Sequence, residues 1–159
     1  MREIPYNRDA AVQYARRWAL DRNPKYYDFE AVGGDCTNFV SQCIFAGAGV
    51  MNETPIVGWF YRSSFDRTAS WTGVEYLYRF LVRNEARGPY GHLVSLEEAN
   101  PGDIVQLGTN GGGFYHSPII TAVEPTVLVA AHSYDVLDRP LFSYTYELIR
   151  VIHIDGVRI

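Results

Sequence analysis

Apolar residues recur at helical spacing in the first half of the chain and in short alternating runs in the second half. Asn7 to Asn23 reads as a helix whose stripe is Ala11, Tyr14, Ala15 and Trp18, with Asn7 placed to cap it and Asn23-Pro24 to end it. Phe39, Val40, Cys43, Ile44 and Gly47 form a second helical stripe behind Cys36, which leaves Thr37, Asn38, Ser41 and Gln42 on the other faces and a stop near Gly47 or Gly49. Thr72-Gly73-Val74-Glu75 fits a capping box, and Val74, Leu77, Tyr78 and Leu81 continue it as helix to about Asn84. The stretch from Val50 to Ser70 is aromatic and unpatterned, suited equally to a binding loop or a structural cover.

After Pro101-Gly102 the period changes. Asp103–Leu107, Tyr115–Val123, Val127–His132 and Leu148–Ile154 are β-branched or aromatic runs bounded by turn residues and read as strands, with Tyr144–Tyr146 a further short run. Gly88-Pro89-Tyr90-Gly91 and Gly108–Gly113 read as turns, and Leu96–Asn100 as a short helical turn. Helices first and adjacent strands afterwards predict an α+β fold, with N-terminal helices on a small antiparallel sheet in a single domain over residues 1–159.

Composition narrows the partners. A net charge of −4 with no basic run argues against nucleic acid. No stretch is long and apolar enough to span a membrane. Met1-Arg2-Glu3-Ile4 is no signal peptide, so the chain as it stands is expected in the cytoplasm, or at the cell envelope if a targeting region has been removed. The aromatic content of 14%, with 12 Tyr, suits sugar or peptide contacts as well as core filling.

The candidate chemistry centres on Gly33-Gly34-Asp35-Cys36. The glycines allow a sharp entry to the helix, Asp35 is placed as its N-cap, and Cys36 in the first turn meets the positive end of the helix dipole, which is expected to lower its thiol pKa. Cys43, about two turns on, reads as a core residue. The two cysteines are about 10 Å apart along one helix, too far for a disulfide, and neither Cys-x-x-Cys nor His-Glu-x-x-His is present, so no metal and no cofactor is expected. A cysteine nucleophile needs a base. His92 falls in a Gly/Pro-rich loop and His153 on an outward strand position; His116 and His132 lie near strand ends. Asp135, Asp138 and Arg139 read as turn residues and an ion pair.

Gly-Gly-Asp-Cys-Thr-Asn-Phe-Val-Ser-Gln at 33–42 closely resembles the signature of the putative amidase domain family, papain-like relatives of the NlpC/P60 cell-wall cysteine peptidases. Ala10-Ala11-Val12-Gln13-Tyr14-Ala15, Asn23-Pro24, Trp71, Pro101-Gly102-Asp103, His116-Ser117 and His132-Ser133 resemble that family too, in its order. The resemblance implies a papain-like fold and a cysteine amidase or peptidase, with Cys36 as nucleophile and His116 as base. The implied substrate is a peptide or peptidoglycan-like amide. An acyltransferase on the same thiol, or a non-catalytic wall-binding module, is the alternative. The first oxyanion donor would be the Cys36 backbone N–H, with Tyr26, Tyr27 or Gln42 as candidate side chains.

A base histidine needs a partner on its other nitrogen, and His132 and Asp135 compete for that place. If Val123 pairs with Val127 across the hairpin, His116 faces Tyr134 and His132 is its diagonal neighbour; with a loop one residue shorter, Ser133 faces His116 and Asp135 takes the diagonal. Because His132-Ser133 resembles the family block, the resemblance favours His132.

Overall fold

The structure, a computed structural model, describes residues 1–159. Asn7 caps helix α1 (Arg8–Trp18) by accepting a hydrogen bond from the Ala10 N–H. Ala11 and Ala15 are fully buried on its inner face and let it lie close against helix α2 (Cys36–Ala48). At Gly47 a Cβ would fall 2.5 Å from the Tyr6 ring, so the approach requires glycine. α1 stops at Trp18 rather than running on to Asn23. Asp21 N–H turns back to the Trp18 carbonyl, and the segment before Asn23-Pro24 peels away.

α2 ends at Gly49 in the left-handed conformation, φ 76°. Thr37, Asn38, Ser41 and Gln42 are buried like its apolar stripe, so the helix has no solvated face. The cover is the aperiodic segment after it. Trp59 and Trp71 pack at 4.7 Å between centroids, and their indole N–H groups donate to Ser41 Oγ (3.1 Å) and Asn38 Oδ1 (3.0 Å). A small hairpin, β2 (Tyr61–Ser63) and β3 (Asp66–Arg67), and helices α3 (Ala69–Thr72) and α4 (Val74–Arg83) complete this layer. Gly73, not Thr72, stands at the α4 cap position, because Thr72 closes α3; the expected capping box does not form.

The sheet is larger than the small one expected. Its strands are β1 (Glu3–Ile4), β4 (Gly88–Val94), β5 (Ile104–Thr109), β6 (Gly113–His116), β7 (Ile119–Ala122), β8 (Leu128–Ala131), β9 (Val136–Pro140) and β10 (Leu148–Arg158). The eight strands run in the order β1-β10-β5-β7-β8-β9, with β4 added to β10 and β6 to β5, every pairing antiparallel. β4 covers the stretch read as a turn at Gly88–Gly91 and includes His92; β9 was not anticipated, and no strand forms at Tyr144–Tyr146. At the outer end of the sheet, Glu3 and Ile4 pair with Arg158 and Val157, and Arg2 and Ile159 exchange backbone hydrogen bonds.

The period of two holds on the central strands. Ile104, Ile119, Ala130 and Ile152 face α1 and α2 in the larger core, while their neighbours Val105, Ile120, Val129 and Val151 form a second apolar cluster on the opposite face. The curled antiparallel sheet is therefore buried on both sides. No helix is long and apolar enough to cross a membrane.

Candidate active site

Gly33 and Gly34 take φ values of 87° and 97°, which carry the chain into α2 through a region closed to most side chains. Asp35 follows at the cap position, but its carboxylate does not cap the helix as expected. Oδ1 accepts from Phe29 N–H (2.8 Å) and Asn38 Nδ2 (2.9 Å), and Oδ2 accepts from His132 Nδ1 (2.5 Å). The fully buried carboxylate thus ties the entry loop to α2 and to the end of β8.

Cys36 is the first residue of α2 and is 8% exposed. Its Sγ lies 3.7 Å from Thr37 Oγ1 and 3.9 Å from the Tyr115 carbonyl at the end of β6. Thr37 Oγ1 donates to Ser117 Oγ (3.5 Å), which also accepts from Gln106 Nε2 (3.0 Å). The neighbours of Cys36 and of His116 are therefore bonded to each other. Burial pushes the Cys36 thiol up, although the Thr37 hydroxyl and the N–H groups of Ser117 and Thr37 pull it back in part. The direction is opposite to the lowering expected from the helix terminus, and its first cause is desolvation of the thiolate in a nearly closed position.

His116 closes β6 and pairs with Leu107 on β5. Burial first, and then the Arg139 guanidinium, push it down from 6.5 to about 4, so the ring is neutral over the ordinary pH range. Ser117-Pro118 breaks the strand, so β6 and β7 are separate and no residue of β8 or β9 lies opposite His116. In the β7–β8 hairpin, Ile119 faces Ala130 and Ile120 faces Val129, the register of the shorter loop; a bulge then brings Ala122 opposite Leu128, the register of the longer one. The diagonal arrangement expected for His132 or Asp135 does not occur.

Both contenders are held elsewhere. His132 is buried, stacked on Phe39 at 4.0 Å, with Nδ1 on Asp35 and Nε2 2.8 Å from the Trp18 carbonyl and 3.2 Å from Arg22 Nη1. Asp135 accepts two bonds from Arg22, at 2.7 and 3.1 Å. Arg22 also lies within 3.5 Å of the Asp28 and Asp35 carboxylates, making it the hub of an acidic ring behind the entry loop. The remaining histidines are remote. His153 is part-buried, with Nδ1 donating to Asp103, and His92 lies on β4 beside Asp155. Asp103 of Pro101-Gly102-Asp103 is fully buried, taking bonds from Arg8, His153 and the Ile154 N–H.

Cys36 and His116 line one cavity of about 320 Å³, floored by Leu107 and Tyr144 and rimmed by Gly34, Ser133, Tyr134 and Arg139. Ser133 and Tyr134 carry φ values of 64° and 59°, strained for residues with side chains, and Tyr134 is 92% exposed at the rim. Tyr26, Tyr27 and Gln42, the candidate oxyanion side chains, do not line it; the Gln42 amide oxygen is taken by the Tyr14 hydroxyl. Arg139 is not the turn ion-pair residue it was read as: it sits on β9 and faces the cavity, while its neighbour Asp138 pairs with Arg16. No pattern around Arg139 marked it, because its place depends on the hairpin after β8. A larger groove of about 740 Å³ between residues 52–58 and α4 contains neither cysteine nor histidine. No three His, Cys, Asp or Glu side chains converge on a point that could hold a metal ion.

No solved structure matches the chain. An uncharacterized protein of Bacillus subtilis, YhbB, is 36% identical over 140 residues, an alignment that covers 84% of this chain and 43% of that protein. The chain thus spans less than half of the length of that relative. A family model described as a putative amidase domain matches residues 5–154, nearly the whole fold and every residue that lines the cavity. The chain belongs to the putative amidase domain family.

Proposed function

We propose that the protein hydrolyses an amide bond through an acyl-enzyme on Cys36, with His116 as the base. The observation that carries this reading is the shared cavity: a thiol at a helix start and a neutral imidazole at a strand end open into the same small space, and their chain neighbours Thr37 and Ser117 approach each other at 3.5 Å. The two groups rest as neutral thiol and neutral imidazole, since burial disfavours the charge on each. As Sγ attacks the carbonyl, its proton passes to His116, which then returns it to the leaving amine; water, deprotonated by the same ring, releases the acid. The Cys36 backbone N–H, unpaired at the first turn of α2, is the oxyanion donor. His132 acts at one remove, by holding Asp35 and through it the entry loop to Cys36.

A helix that opens on the cysteine and packs against an antiparallel sheet bearing the histidine is the arrangement of papain-like enzymes. By the resemblance of residues 33–42 to NlpC/P60 relatives, the substrate is an amide in a peptidoglycan stem peptide. The test is incubation of purified peptidoglycan with the protein and mass spectrometry of the products. New amine and acid ends should appear with the wild type and vanish with Cys36→Ser and with His116→Ala. Product formation that survives Cys36→Ser would overturn the mechanism.

A further inference from the structure

The Cys36 cavity holds one formal charge that nothing in the protein answers. Arg139 rims it from β9. Its Nε donates to Ser143 Oγ (2.8 Å) and its Nη2 to the Ser143 carbonyl (3.2 Å), and its Cζ lies over the Tyr144 ring, 3.7 Å from the centroid. A guanidinium carries five N–H donors, so the free edge, with Nη1, remains open. The nearby carboxylates are committed elsewhere: Asp138 to Arg16 and Thr121, Asp135 to Arg22, Glu30 to Ser133 and Arg22. This happens in a chain with 18 acidic and 14 basic residues, where a partner is easy to supply.

We propose that Arg139 is the carboxylate-recognition residue of this cavity, and that the amide substrates of the protein carry a carboxylate close to the scissile bond. The inference rests on the amidase reading of the site and names the substrate class. A stacked, tethered arginine is pre-organised for the two-point geometry of a carboxylate, and it loses little freedom on binding one. The same charge also bears on the base. The Arg139 guanidinium is one of the two causes that hold His116 down. A carboxylate seated on Arg139 cancels that repulsion, so the correct substrate strengthens the group that must take the thiol proton. A neutral analogue does not.

Two alkylating reagents of nearly equal size test this. Iodoacetate carries a carboxylate and iodoacetamide does not; with each, Sγ–C bond formation expels iodide and releases the thiol proton. The ratio of their rate constants at Cys36, at one pH, is independent of the thiolate fraction. In the wild type that ratio should exceed the ratio for glutathione by roughly tenfold or more, as expected of a charge-focusing cleft. It should fall to the glutathione value in Arg139→Met and lie between the two in Arg139→Lys, which keeps the charge but not the stacked two-point fork. A ratio unchanged by Arg139→Met would overturn the proposal.

A second measurement needs no reactive thiol. In Cys36→Ser, N-acetylalanine should shift the His116 ring resonances in a saturable manner, whereas N-acetylalaninamide should not, and Arg139→Met should abolish the difference. Equal shifts, or none with either, would overturn carboxylate recognition while leaving the peptidoglycan experiment to judge the amidase reading separately.

Discussion

Asp35 and His132 meet 97 residues apart in sequence, with Nδ1 of the ring 2.5 Å from a carboxylate oxygen and both side chains sealed from solvent. The contact clamps the residue before the thiol to the end of β8. Removing the ring takes away the short bond to the buried Asp35 Oδ2, which keeps only Arg22 Nε at 3.5 Å, and empties the place stacked on Phe39. His132→Ala should therefore destabilise the fold by about 3 kcal/mol or more. His132→Gln, whose amide can still donate, should lose less. Chemical denaturation checks both. A His132→Ala protein of normal stability and low turnover would instead mark the ring as a direct participant in the chemistry.

His116 sets an acid limit. Its folded value of about 4 lies below its ordinary 6.5, so on acidification the unfolded chain takes up the proton first. Stability from this group is complete above about 6.5 and is lost as pH falls toward 4, by about 3 kcal/mol at about 1.4 kcal/mol per pH unit. Relative to His116→Gln, the wild type should lose about that much between these limits in urea titrations. kcat/KM, which reports the free protein, should hold down to about pH 5 and fall through about 4, because the proposed base stays neutral until then. An activity midpoint near 6.5 would mean that the ring is not desolvated in the working enzyme.

The two cysteines should separate on alkylation. Cys43 is fully buried in the larger core, whereas Cys36 borders the cavity. Iodoacetamide should modify Cys36 in the native protein and reach Cys43 only on unfolding. Since burial pushes the Cys36 thiol above its ordinary 9.0, the labelling rate should still be rising at that pH. A plateau near pH 7 would show that the helix terminus outweighs desolvation.

Ser41 joins both tryptophans. It accepts from the Trp59 indole and donates to the Trp71 carbonyl (2.9 Å) in the buried layer over α2. Ser41→Ala strands a buried donor and a buried acceptor and should cost about 1–3 kcal/mol in a thermal or denaturant melt. With Trp59→Phe in the background, the Ser41→Ala step should cost less, because one stranded group is gone. Additive effects would show that the two side chains are not coupled.

Much of this was legible from residues alone. The Asn7 cap, the start of α2 at Cys36, its stop at the second of the two glycines offered, Gly47 and Gly49, and the alternation of Ile104 with Val105 follow from local chemistry. What was hidden lay mainly at sheet edges and in tertiary partners. Gly88-Pro89-Tyr90-Gly91 has turn composition, yet β4 pairs only with β10, where proline is tolerated, and a Cβ at Gly91 would lie 2.0 Å from the His153 carbonyl. β9 is likewise an edge strand ending in Pro140. The polar positions of α2 read as outward because their partners, Trp59 and Trp71, come from a stretch with no period. At the site, Cys36 stood out by residue type and setting, while His116 was told from the other histidines by its resemblance to the family block. Arg139 did not, since its approach depends on the turn through Ser133 and Tyr134.

The short pairing of β1 with the end of β10 also has a mechanical meaning. The two strands run in opposite directions, so Met1 and Ile159 leave from the same corner. Tension drawn between these ends acts across the pair and opens it like a zip, one hydrogen bond at a time, instead of loading all the bonds together. Glu3 and Ile4 would come away first, while β10 stays fastened to β4 and β5. A pull on the flanks is thus absorbed at a corner of the sheet, and the strands around the Cys36 cavity, with none of which β1 pairs, stay fastened to one another.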